Sequence, residues 1–223
     1  MQGDAGGAAR DAGTARATIP WFGILLALMI LAVMIAPIFA SRYVGAVAMG
    51  LILTAAATAI GIRGAGAFVV AASIAAIAAE QVFATVPAVL LALALRTVFL
   101  CYVEVRLLLH VLGDREVTHE SVSAVACGYV MIGLVWGGLY AILETLEPGS
   151  FNVPATWGGG PSGSVQALNY FSFIILSTLG LGDITPAGPP AGGLCVGEVI
   201  IGQLYLAIMI ARMVGIVAAR HPR

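Results

Sequence analysis

The stretch best suited to chemistry is Thr178-Leu179-Gly180-Leu181-Gly182-Asp183. Glycine at alternate positions admits left-handed backbone, so successive carbonyls can all turn to one side of the strand. Carbonyls turned this way lose their amide partners, which inside a membrane is tolerable only if something polar replaces them. A row of dehydrated cations would do so. Ahead of this strip, Ala167–Leu179 is apolar but too short to cross a bilayer, and it reads as a half-helix leading into the glycines. An ordinary Gly-rich external turn would explain neither that half-helix nor its position between two long apolar runs. The nearby Trp157–Ser164 segment has the glycines of a phosphate loop but neither its Lys nor its following helix, and reads as a flexible turret.

The elements that must carry this strip belong in lipid. Of the 223 residues 61% are hydrophobic and 9% charged, against roughly 25% charged in an average soluble domain. Ten Arg, no Lys and eleven acids cannot coat a soluble globule, and a mean hydropathy of +1.04 agrees. The net charge of −1 offers no field for nucleic acid. Cys101, Cys127 and Cys195 lie in or beside apolar runs without metal-ligand spacing and read as buried thiols.

Residues 1–19 have almost nothing to bury and are expected to form a disordered tail. Apolar runs come next at Trp21–Ala40, Tyr43–Ile62, Gly64–Val86 and Pro87–Leu112, then a charged linker at 113–120. Ser121–Leu146 and Gly192–Val217 complete six expected spans, with the re-entrant Pro148–Pro190 loop between the last two. The expected fold class is therefore an all-α membrane protein. A four-helix unit covers 20–112 and a pore-like unit covers 121–223, with an outer helix at 121–146, a half-helix at 165–178, the glycine strip at 178–183 and an inner helix at 191–217. Arg10, Arg16, Arg63, Arg115, Arg220 and Arg223 would lie on the side of the termini, with Arg106 and Arg212 near helix ends there, and only Arg42 opposite. That asymmetry places both termini in the cytoplasm. The loop then faces outside, without a base, carrying Asp183 with Glu144 and Glu147 at its mouth. Such an acidic vestibule attracts cations.

In this order of elements, Tyr170–Pro186 resembles the pore helix and filter of the potassium channel family, whose filter reads Thr-Val-Gly-Tyr-Gly-Asp. The likeness is to the six-transmembrane, single-pore-loop bacterial form without a charged voltage sensor. It implies K⁺ held by the backbone carbonyls of Thr178, Leu179, Gly180 and Leu181 and by the Thr178 hydroxyl, with Gly182 closing the filter. It also implies a homotetramer, three further copies completing the cage around the axis. The implied location is a bacterial cytoplasmic membrane, with K⁺ as permeant ion and no cofactor. Leu181 departs from the family, which usually has Tyr there. Phe171 and Ile175 stand where that tyrosine's polar partners would be, so the cuff has turned apolar together. We expect the Tyr170 hydroxyl to bond Asp183 behind the filter mouth. Gly202 falls at the family's hinge glycine in the inner helix; close helix packing is the alternative role, and Gly197 a competing candidate.

The fourth span carries Arg96 and Arg106 only, with Glu104 beside the second. Steep gating needs about three or four charges per subunit, at about 2.3 kcal/mol per charge per 100 mV. Arg96 is expected to pair with Glu80, and Arg106 to snorkel to the cytoplasmic surface. His110, His119, Glu116 and Glu120 could respond to pH but more simply form a solvated linker face. Competing functions are a weakly selective monovalent cation channel and a non-conducting accessory subunit. An intramembrane hydrolase lacks a Ser nucleophile facing a His base, so an enzyme is not expected.

Overall fold

The computed structural model describes residues 21–39, 42–59, 71–79, 85–113, 116–157 and 161–220. Within them lie α1 (Trp21–Phe39), α2 (Arg42–Ala59), α3 (71–79), α4 (Val86–Gly113), α5 (His119–Leu146), α6 (Pro161–Leu176) and α7 (Pro189–Arg220). A two-stranded antiparallel sheet, β1 (Phe151–Asn152) with β2 (Thr185–Pro186), and a single 3₁₀ turn at Ala155–Trp157 flank α6. The expected tail 1–19, Glu80, Arg10, Arg16, Arg63, Arg115 and Arg223 lie outside the described residues.

Helix starts obey local chemistry. Proline occupies one of the first two positions of α4 (Pro87), α6 (Pro161) and α7 (Pro189, Pro190), where its missing N–H would have had no partner. α5 is capped instead by Thr118, whose extended backbone (φ −113°, ψ 166°) lets its hydroxyl accept from Ser121 N at 3.1 Å. Among the described residues three helices are long and apolar enough to cross a membrane: Val86–Gly113, His119–Leu146 and Pro189–Ala219. α1 and α2 are apolar but shorter, at 19 and 18 residues. The half-helix begins and ends earlier than expected, at Pro161 and Leu176, because Pro161 supplies a start and the glycine strip a stop.

α5 is the hub, and glycine makes it one. A Cβ on Gly133 would lie 2.5 Å from the Phe173 ring, and one on Gly137 would lie 2.8 Å from Asn169 Cα. α6 is thus seated almost directly on the α5 backbone, the close approach that small residues four apart permit. Gly138 receives Thr97 of α4, and Gly128 receives the Tyr205 hydroxyl of α7. Around the hub are two apolar clusters. One joins Leu25, Leu53, Phe99, Val103 and Met131, drawing on α1, α2, α4 and α5. The other joins Leu93, Tyr140, Phe151, Leu168, Phe171 and Ile184, and holds the loop elements against α4 and α5.

The outer stripe of α4, Leu91, Val98, Val105 and Leu112 at seven-residue intervals, is exposed, as a lipid-facing helix requires. Cys101 is exposed on the same helix, which corrects its reading as a buried thiol; Cys127 and Cys195 are buried. Arg96 is 7% exposed and lies beside Gly138, while Arg106 is exposed and donates to the Tyr102 hydroxyl at 3.0 Å. The linker residues have packing roles. Glu120 accepts from Phe22 N at 3.3 Å, and His110 stacks on the Phe22 ring at 5.5 Å, so the start of α1, the end of α4 and the start of α5 meet.

Candidate functional site

The end of α6 sets the backbone of the residues after it. Leu179 N donates to Ile174 O at 3.0 Å and Thr178 N donates to Ile175 O at 2.9 Å, the paired bonds of a Schellman stop. That stop requires a left-handed residue, usually glycine. Here the residue is Thr178, at φ 58°, and it is the single non-glycine with positive φ among the described residues. A β-branched residue in this region costs on the order of 1–3 kcal/mol, so its hydroxyl and carbonyl occupy a strained position.

Two further left-handed residues come at alternate positions, Gly180 (φ 58°) and Gly182 (φ 76°), while Leu179 and Leu181 keep negative φ. The handedness therefore alternates from Thr178 to Gly182, the condition for carbonyls to share one side. Leu179 and Leu181 are 60% and 57% exposed, so their side chains leave the protomer instead of packing into it.

The strip is held at both ends. At its inner end the Tyr129 hydroxyl of α5 donates to Leu176 O at 3.2 Å, fixing the last turn of α6. At its outer end the Tyr170 hydroxyl donates to Asp183 Oδ2 at 2.9 Å. Burial first, then the Asp183 carboxylate, holds the Tyr170 phenol above its ordinary value, so it stays a donor at neutral pH. The Trp157 ring stacks behind Tyr170 at 4.8 Å. Beyond Asp183, β2 pairs with β1 (Phe151↔Pro186, Asn152↔Thr185), Asn152 Nδ2 donates to Thr185 Oγ1 at 3.0 Å, and Ile184 is buried.

The other expected site residues divide. Phe171, 2% exposed, packs its ring on Tyr140 and Phe151 at 5.6 and 5.7 Å. It steadies α6 against α5 and β1; within the protomer it does not hold Leu181, which is exposed. Ile175 is partly buried against the same cluster. Gly202 is buried where a Cβ would strike the Leu176 side chain, and α7 runs unbroken through it, so in this conformation Gly202 is a packing contact under the end of α6. Gly197 does likewise for Trp136, whose ring would lie 3.0 Å from an added Cβ. Glu144 is strapped to the loop, accepting from Gly149 N at 2.9 Å and Phe151 N at 3.0 Å, whereas Glu147 and Asp183 are exposed.

Sequence reasoning passed over Glu198. It is a fully buried acid on α7, and its carboxyl meets Ser172 of α6 and Tyr140 of α5. The signal was available, since an ionisable residue inside an apolar span is expected to have a function. Its partners were not, because they come from two other helices. Arg212 was expected near a helix end, and its guanidinium caps α4, donating from Nη2 to Leu112 O at 2.5 Å and Val111 O at 3.3 Å.

Residues 161–219 match the family model described as "Ion channel". Over 89 residues, 40% of this chain, the sequence is 36% identical to the protein named "Two pore potassium channel c" of Oryza sativa subsp. japonica. The aligned stretch covers 17% of that protein's own length. No solved structure matches the chain.

Proposed function

We propose, for a chain whose residues 161–219 match an ion-channel family model and which is similar over 89 residues to a protein named for potassium conduction, that it is one subunit of a K⁺-selective channel. The observation that carries this reading is the alternation of left-handed backbone at Thr178, Gly180 and Gly182, between a capped half-helix and an anchored Asp183. Such a strip turns backbone oxygens toward an axis where they replace an ion's hydration shell. The carbonyl end of α6 carries partial negative charge and adds attraction for a cation beneath the strip.

One strip supplies carbonyls from one direction, so the cage needs further copies, and a homotetramer closes it. Exposed apolar residues along α7, among them Val196, Ile200, Leu204 and Ile208, supply surface for neighbouring subunits to cover. In the full assembly we read six spans per subunit, α1 to α4 as a sensor-like unit and α5 to α7 as the pore, with both termini cytoplasmic. Two arginines on α4, one buried and one hydrogen-bonded to Tyr102, favour weak voltage dependence or none.

K⁺ flux into liposomes reconstituted with the purified protein tests the proposal. Flux that Gly180→Ala abolishes supports it; wild-type protein that passes no K⁺ assigns the chain to a non-conducting subunit instead. The exposure of Leu181 favours a second reading, a weakly selective cation channel, which equal K⁺ and Na⁺ permeability would select.

A further inference from the structure

Glu198 joins the three helices of the pore unit. Its Oε1 lies 2.5 Å from Ser172 Oγ on α6, and its Oε2 accepts from the Tyr140 hydroxyl on α5. Ser172 Oγ is also 2.7 Å from the carbonyl oxygen of Gly133 on α5. All of these groups are buried.

Counting protons decides the state of the acid. The Gly133 carbonyl can only accept, and Ser172 has one hydroxyl proton. Three oxygen–oxygen contacts, Tyr140 to Glu198, Ser172 to Glu198 and Ser172 to Gly133, need three protons; the two hydroxyls supply two, so the third comes from the carboxyl. The Tyr140 proton is already committed to the other carboxyl oxygen. A carboxylate would leave one of the two Ser172 contacts, to Glu198 at 2.5 Å or to Gly133 O at 2.7 Å, as two oxygens with no proton between them. A carboxylic acid completes every contact, in the order Tyr140 to Glu198 to Ser172 to Gly133. Among the described residues the remaining titratable groups facing the cluster are Cys195 on α7, beside the Tyr140 hydroxyl, and Tyr129 on α5, and neither brings positive charge.

We propose that Glu198 is a positioning residue for the filter, held as a neutral carboxylic acid that donates to Ser172 and so fastens α6 to α5 and α7. Ser172 lies six residues before Thr178, on the helix whose end sets the first left-handed turn of the strip. A neutral acid needs no counter-ion in the membrane interior, where an ionised one would be costly. The proposal rests on reading 178–183 as an ion filter.

Infrared spectroscopy and K⁺ and Na⁺ flux on the same purified, liposome-reconstituted protein test it. At neutral pH the difference between wild type and Glu198→Gln should contain a protonated-carboxyl C=O stretch that shifts in D₂O. The Gln amide accepts from Tyr140 and donates to Ser172, so this variant should keep the K⁺/Na⁺ flux ratio within about twofold of wild type. Glu198→Ala and Ser172→Ala leave buried partners unmet and should lower that ratio by about tenfold. No carboxyl band in the difference spectrum overturns the neutral acid. Glu198→Gln falling as far as Glu198→Ala, or Ser172→Ala leaving the ratio unchanged, overturns the positioning role. Should Glu198→Ala fail to assemble, Ser172→Ala, which removes a single hydroxyl, carries the flux comparison. Wild-type protein that conducts nothing overturns the channel reading and the positioning role with it, while the infrared band still decides the proton on Glu198.

Discussion

The Tyr170 hydroxyl donates to Asp183 at 2.9 Å, tying the middle of α6 to the residue that ends the glycine pattern. Everything between them, Phe171 to Gly182, is a closed loop of chain whose far end is the strained turn at Thr178. The bond therefore pins the outer end of the strip to α6.

Tyr170→Phe removes that closure and nothing else, a loss of about 1 kcal/mol for one hydrogen bond. Single-channel recordings should show shorter openings and faster inactivation, with folding preserved. Unchanged gating and selectivity in that variant would remove the bond from the account of the filter.

Thr178→Gly separates backbone strain from chemistry. Glycine accepts φ 58° freely, relieving up to about 1–3 kcal/mol of strain, so the melting temperature of the detergent-solubilised protein should hold or rise. K⁺-dependent stabilisation, which reads ion binding by mass action, should fall with the lost hydroxyl. A variant that melts lower, with K⁺ stabilisation intact, contradicts both halves.

Gly137→Ala tests the seat of α6. The new methyl would meet the Asn169 backbone, which has no rotamer to offer, at 2.8 Å. Overpacking of this kind costs about 1–3 kcal/mol, visible as a lower melting temperature and loss of flux. At Gly113, where an added Cβ meets nothing within 4 Å, the same change should leave both untouched.

Arg106→Gln should leave the current–voltage relation unchanged in planar bilayers. The side chain is exposed and bonded to Tyr102 on its own helix, outside the packed face of α4. A marked shift of the relation along the voltage axis would make α4 a sensor despite its low charge.

Much of this arrangement was legible in the sequence, where a residue's own chemistry fixes its surroundings. Gly180 and Gly182 announce alternating backbone, whereas the stretch 157–164, read as a flexible turret, already contains the start of α6 at Pro161. Apolar length announces α4, α5 and α7, whose ends the structure sets within a few residues of the expected ones. The illegible part depends on which helices meet. Phe171 was placed behind Leu181 by the family resemblance, but α6 turns that face to Tyr140 and Phe151. Gly202 matches the family's hinge glycine, with close packing as its alternative role, and the contact with Leu176 shows the packing. Cys101 sits in an apolar run, yet an apolar run in lipid has an outside, and the thiol is on it. Thr178 is the clearest case, since no propensity would choose a β-branched residue for a left-handed turn.

The contacts of α5 through Gly128, Gly133, Gly137 and Gly138 are made by backbone against a neighbour's side chain or main chain. On the α5 side there is no rotamer to change, so the helix cannot absorb a neighbour's displacement by local repacking. A push from α4 at Thr97, or from α7 at Tyr205, would therefore reach α6 as rigid-body motion. In mechanical terms α5 is a stiff lever, and a stimulus acting on α4 or α7 would be delivered to the same strip of backbone.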